Sequence, residues 1–175
     1  HCQETLLELE RTPKIVIAAI NGHCVGGGLE IALACDLRFM RTGGQIGLPE
    51  VTLGVLPGTG GTQRLPRLVG KARALDLMIT GRTISSEEAR DIGLINEVSD
   101  GDAVEFAKQY ASTLNTGATQ AIGLIKVAVQ EGVEMPLNNG LALERELQNR
   151  LFVTEDAQEG LQAFIEKRTP EFKGS

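Results

Sequence analysis

Tryptophan is absent, tyrosine occurs once and phenylalanine five times, so aromatics make up only 3% of the 175 residues. That scarcity argues against a nucleic-acid platform of stacked rings. Positive charge is also short: 17 Lys and Arg against 23 Asp and Glu give a net charge of −6, which disfavours a phosphate-backbone surface. The two histidines, His1 and His23, are too few for a histidine-rich metal site. Cys2, Cys24 and Cys35 are odd in number and lack C-x-x-C spacing, so they read as free thiols in a reducing compartment. No apolar run approaches the roughly 18–20 residues of a membrane span; the strongest, Ile15 to Ile20, has six. A basic n-region followed by an h-region and cleavage site is also missing. The expectation is a soluble protein with neither membrane nor nucleic acid as partner.

What is present is ordinary for a globular chain: 42% hydrophobic and 23% charged residues, in a length suited to one domain with a sizeable core. Glycine is abundant, at 21, without a collagen-like period, so tight turns or close backbone approaches are expected. Residues 3–11 read as a short helix stopped by Thr12-Pro13. Ile15 to Ile20 reads as a parallel strand buried on both faces. Asn21-Gly22 turns the chain, Gly26-Gly27-Gly28 follow, and 29–34 reads as a helix. Short strands are expected at 37–40 and 45–47, a glycine loop at 57–62, and helices at 63–69 and 71–80. Ser85 and Glu88 fit a capping box opening a helix that Gly93 closes.

Beyond Asp100 the pattern becomes helical throughout. Ala103, Phe106, Ala107, Tyr110 and Leu114 share a face, residues 119–131 form another helix, and Leu143, Leu147 and Leu151 repeat every four. Thr154 is the expected N-cap of a last helix, with Glu155 and Asp156 at its positive end. The chain thus divides into an α/β part, 1–99, and a helical part, 100–175.

Charge placement is the most informative local feature. Between Ile15 and Cys35 the sole formally charged residue is Glu30; between Thr42 and Gln63 it is Glu50. A carboxylate alone in apolar surroundings is expected to be at least partly buried, with its pKa raised toward the range of acid/base work. The competing reading is that each glutamate binds nearby backbone N–H groups or an arginine and only organises a turn. The glycine triplet has two readings too: an oxyanion hole of free backbone N–H groups, or close packing of helix on sheet. Other motifs fail. Gly58 to Gln63 starts like G-x-G-x-x-G but ends in Gln63, Gly70-Lys71-Ala72 lacks P-loop spacing, and no serine is flanked as G-x-S-x-G. Arg64, Arg67, Lys71 and Arg73 could meet phosphates or another subunit, but a solvated helical surface is the favoured reading.

The text Ile17-Ala18-Ala19-Ile20-Asn21-Gly22, Gly26-Gly27-Gly28-Leu29-Glu30, Ala34-Cys35-Asp36, Gly47-Leu48-Pro49-Glu50, Leu56-Pro57-Gly58 and Gly60 to Pro66 resembles the crotonase superfamily, the enoyl-CoA hydratase/isomerase family. Ala89-x-x-x-Gly93-Leu94 and Phe164-x-Glu166-Lys167-Arg168 continue the match across essentially the whole chain. The resemblance implies a crotonase-like ββα superhelix (1–99 its C-terminal portion) followed by a helical trimerisation region (100–175), in a homotrimer or dimer of trimers. It implies Gly27 as an oxyanion donor to a thioester carbonyl and Glu30 and Glu50 as catalytic glutamates. With both glutamates at matching positions, it implies hydration of a trans-2-enoyl-CoA to a 3-hydroxyacyl-CoA, with no metal or redox cofactor and with coenzyme A as part of the substrate. The alternatives are an enoyl-CoA isomerase or other acyl-CoA enzyme of the superfamily, or a non-catalytic CoA-binding or oligomerising subunit. The expected location is bacterial cytoplasm or mitochondrial matrix. Family members carry further ββα turns ahead of the Ile15 strand, holding the second oxyanion donor and much of the adenine-binding loop. Here only residues 1–11 precede it, so a fragment of a longer protein is expected, with half an oxyanion hole.

Overall fold

The computed structural model describes residues 1–175. They form two compact units, His1–Glu10 with Val16–Lys108, and Arg11–Ile15 with Gln109–Ser175. No helix is long and apolar enough to cross a membrane.

The first unit is the α/β one. It opens with α1 (Cys2–Arg11), which turns Leu6 inward. Strand β1 (Ile17–Ile20) pairs in parallel with β3 (Leu37–Arg41), which pairs in parallel with β6 (Glu97–Ser99). β1 is parallel as expected, but Ile17, Ala18 and Ala19 are only half-buried, because β1 is an edge strand of this sheet. A second small sheet joins β2 (Cys24–Val25) in parallel to β4 (Gln45–Gly47), and β4 in antiparallel to β5 (Ile84–Ser85).

Between the strands lie α2 (Gly27–Leu33), α3 (Gly61–Val69), α4 (Lys71–Thr80) and α5 (Ser86–Asp91). Leu29, Met40, Ile46, Leu48, Leu65 and Leu94, all fully buried, build the core they share. Ser85 caps α5 by accepting from the Glu88 N–H at 3.2 Å. The reciprocal half of the capping box is not made: the Glu88 carboxylate accepts from Arg82 instead, at 3.1 Å. Arg38 is buried and donates to the carbonyls of Leu94, Ala32 and Cys35, tying β3 to the end of α2 and to the segment before β6.

Helix α6 (Ala103–Asn115) starts in the first unit, where Phe106 meets Phe39 edge-to-face at 5.1 Å. The second unit holds α7 (Thr119–Gly132), α8 (Leu137–Phe152) and α9 (Glu155–Glu166). α7 and α8 approach closely at Gly132 and Gly140, where a Cβ on Gly140 would stand 3.3 Å from the Gly132 carbonyl oxygen. Thr154 caps α9 by accepting from the Ala157 N–H at 3.1 Å. The architecture is mixed α/β and rich in helix.

Candidate active site

Two adjacent parallel strands set the site. β2 pairs with β4 so that Val25 stands beside Gly47, and the Gly26 N–H donates to the Gly47 carbonyl at 3.0 Å. Their C-terminal ends therefore emerge side by side. One leads through Gly26 into α2, which carries Glu30. The other leads through Leu48-Pro49 into a 3₁₀ turn (Glu50–Leu53) that begins with Glu50. Carboxyl ends of neighbouring parallel strands are where α/β folds place their ligand sites.

Glu30 is 3% exposed. Its Oε1 accepts from the backbone N–H groups of Thr59 (2.7 Å) and Gly61 (2.8 Å), which uses both lone pairs of that oxygen. The Pro57–Thr62 glycine loop thus clasps the first glutamate. Gly61 is there because nothing larger fits: a Cβ would lie 2.7 Å from Pro57 Cβ, 2.9 Å from Leu48 Cδ1 and 3.1 Å from Glu30 Oε1.

Glu50 is held differently. Its Oε1 lies 3.1 Å from the place a Cβ would take on Gly26, and Gly26 has φ +57°, a conformation that side chains avoid. Its Oε2 is buried and has no hydrogen-bond partner in the protein. A buried, unpartnered carboxylate oxygen is costly, by about 1–3 kcal/mol or more for a charged group, and calls for a reason.

Gly26 lies next to both glutamates: Glu50 Oε1 stands against it and the Glu30 N–H donates to its carbonyl at 3.0 Å, while Glu30 Oε1 lies on the far side against Gly61. The turn-organising reading fits one oxygen of Glu30, which does hold a loop through backbone N–H groups; it leaves Glu50 Oε2 without an account. Gly27 sits at the first position of α2, exposed, and neither its N–H nor that of Gly28 finds a partner in the chain. A Cβ at either position would meet nothing within 4 Å. Close packing of helix on sheet is therefore not what these two glycines serve.

Two contributors escaped the sequence, and a third, Gly26, was singled out without its contact to Glu50. Thr59 and Gly61 act through backbone N–H groups, which no residue type betrays. Gly26 is the member of the triplet pressed against Glu50; its signal was position, directly after a strand, but a two-residue strand shows no period. The basic cluster needs a correction at one place. Arg67, Lys71 and Arg73 are exposed as expected. Arg64 is not: its side chain is 14% exposed and makes a bidentate pair with Glu10, Nε to Oε1 at 2.6 Å and Nη2 to Oε2 at 2.8 Å. That pairing raises the guanidinium pKa further. The three cysteines are free, and burial pushes the Cys24 thiol up to about 11.

The chain is similar to known proteins along its whole length. The model of the enoyl-CoA hydratase/isomerase family matches residues 1–175. The 2,3-dehydroadipyl-CoA hydratase of Escherichia coli K12 is 43% identical over 167 residues, covering 95% of this chain and 66% of its own. A Bacillus subtilis protein named as an enoyl-CoA hydratase/isomerase is 44% identical over 173 residues, 98% of this chain and 66% of its own. The chain thus spans just under two thirds of the length of these relatives. Among solved structures, an enoyl-CoA hydratase from Geobacillus kaustophilus superimposes with a TM-score of 0.97 at 57% identity, covering 99% of this chain and 67% of that one. One from Bacillus anthracis gives 0.94 at 43% identity, covering 99% and 68%.

Proposed function

The chain belongs to the enoyl-CoA hydratase/isomerase family, and from that membership we propose that the intact protein adds water reversibly across the 2,3 double bond of a trans-2-enoyl-CoA, giving a 3-hydroxyacyl-CoA in fatty-acid or related acyl-CoA catabolism. The observation that carries the proposal is the pair of glutamates at adjacent strand ends, one of them with a buried oxygen, Glu50 Oε2, that no protein group satisfies.

In this reading the Gly27 N–H donates to the thioester oxygen and stabilises the enolate-like state that forms as the conjugated alkene is attacked. Glu30, with Oε1 fixed by Thr59 and Gly61, orients the water through its other oxygen. The water oxygen bonds to the β-carbon and its proton passes to the ionised Glu50 carboxylate. Glu50 exchanges the proton that ends on the α-carbon, so the elements of one water are added and both glutamates return to their starting state. Chemistry of this kind asks for no metal or redox cofactor. The substrate is an acyl-CoA thioester, and the proposed assembly is a homotrimer or dimer of trimers. Support for the assembly comes from Phe152, Leu161, Phe164 and Ile165 in the second unit, all more than half exposed.

The test is loss of the conjugated enoyl-thioester absorbance when the intact protein meets a short trans-2-enoyl-CoA, run beside a 3-enoyl-CoA. Fast loss with the first and slow appearance of conjugation from the second is expected. The reverse order would assign a double-bond isomerase.

A further inference from the structure

Glu30 is placed by the loop that clasps it, and that loop is itself held from behind. Arg64, in the first turns of α3, folds its guanidinium back over Gly60. A Cβ at Gly60 would fall 1.9 Å from Arg64 Nη1, and Gly60 has φ +116°. Only glycine leaves the room. From there Nη1 donates to the Thr59 carbonyl at 3.2 Å. Thr59 and Gly61, the residues on either side of Gly60, are the two whose N–H groups hold Glu30 Oε1.

The other edge of the guanidinium is locked by Glu10 through the fork described above. Both partners are largely buried, with side-chain exposures of 14% and 21%. Glu10 comes from α1, on the face that also carries the buried Leu6 and the exposed Gln3. Gln3 donates from Nε2 to the Gly58 carbonyl at 2.7 Å, so α1 grips the loop at a second point. Residues 3, 6 and 10 share one side of a helix.

We propose that Arg64, anchored by Glu10, is a positioning residue for Glu30, acting through the Thr59–Gly61 backbone. It need not touch the substrate. A bidentate guanidinium fixes both place and orientation, which an ammonium does not. This inference rests on Glu30 having the role proposed above, and the experiment separates the two.

Hydration kinetics are measured on the intact protein carrying Arg64→Met, Arg64→Lys, Glu10→Gln and Glu30→Gln, with rates normalised to folded fraction. Misplacing a reacting group by about 1 Å costs up to about 100-fold. Arg64→Met is expected to lower kcat by roughly 10- to 100-fold with KM within about threefold, because the ligand contacts are untouched. Arg64→Lys recovers part of the loss, and Glu10→Gln lowers kcat in the same sense but less. Adding Glu10→Gln to Arg64→Met costs little more, since both cut the same tie. If Arg64→Met fails to fold, Arg64→Lys and Glu10→Gln decide. The positioning role is overturned if these variants keep kcat within about twofold of wild type while Glu30→Gln loses its rate, or if the loss lies in KM alone. A normal rate in Glu30→Gln overturns the reading of the site itself.

Discussion

At positions 26, 27 and 28 three glycines in a row answer different demands. Gly26 holds a positive φ and presses on Glu50 Oε1; Gly27 and Gly28 have ordinary φ and open space where a side chain would go. Gly26→Ala is therefore expected to destabilise the protein, by roughly 1–3 kcal/mol for the backbone strain, and to displace the Glu50 carboxylate. Gly27→Ala is expected to leave the urea midpoint within error while lowering kcat/KM at least about tenfold, because under the proposed function its methyl would stand in the thioester's path to the backbone N–H. Urea titration beside steady-state kinetics separates the two. Equal loss of stability in both variants would return Gly27 to a purely structural role.

Elements of very different length decide where these residues meet. β2 has two residues, yet its parallel register with β4 is what sets Val25 beside Gly47, ties the Gly26 N–H to the Gly47 carbonyl and starts the two segments that carry Glu30 and Glu50 from neighbouring strand ends. Two residues show no alternation, so β2 and β5 were invisible in the sequence. By contrast the long periodic helices α6 to α9, and the capping residues Ser85 and Thr154, were legible, because a repeat over several turns leaves a pattern and a cap has a residue type. The two glutamates were legible for another reason: each is a solitary charge in an apolar stretch. Their partners were not, since Thr59 and Gly61 donate through backbone, and the Glu10–Arg64 pair joins residues 54 apart.

The C-terminal segment is held on α9 by two carboxylates: buried Asp156 accepts from the N–H groups of Lys173 and Gly174 at 2.7 and 2.9 Å, and Glu159 binds the stretch before them. Glu159 on α9 accepts from Arg168 at 2.6 and 2.8 Å and from the Glu171 N–H at 2.8 Å, and these bonds hold its pKa down at about 2 from the usual 4.5. A depressed carboxylate contributes to docking above its unfolded pKa and ceases to as pH falls through the folded one. The Arg168–Glu171 stretch is expected to stay on Glu159 at pH 5 and to loosen from it as pH falls from about 4.5 through about 2. Amide shifts of Glu171 followed by NMR from pH 6 to 2 should show this, and Glu159→Gln should remove the transition. A midpoint near 4.5 would mean the ion pair is not holding the segment.

At the scale of the molecule the work is divided. The first unit contains both glutamates, the glycine triplet and the Glu10–Arg64 brace; the second is built of helices whose Leu161, Phe164 and Ile165 stand exposed. The site's chemistry is thus concentrated in one unit of a chain that spans just under two thirds of its curated relatives. The crotonase fold is shared with many proteins, and fold alone does not choose a reaction. What points the proposal to hydration is the second glutamate, with its unsatisfied buried oxygen. The most direct measurement is the hydration kcat of Glu50→Gln in the intact protein, with stability measured alongside. Loss of an acid/base group predicts a fall of roughly 10²–10⁴-fold with the fold intact. A Glu50→Gln protein that hydrates at close to the wild-type rate would contradict the account.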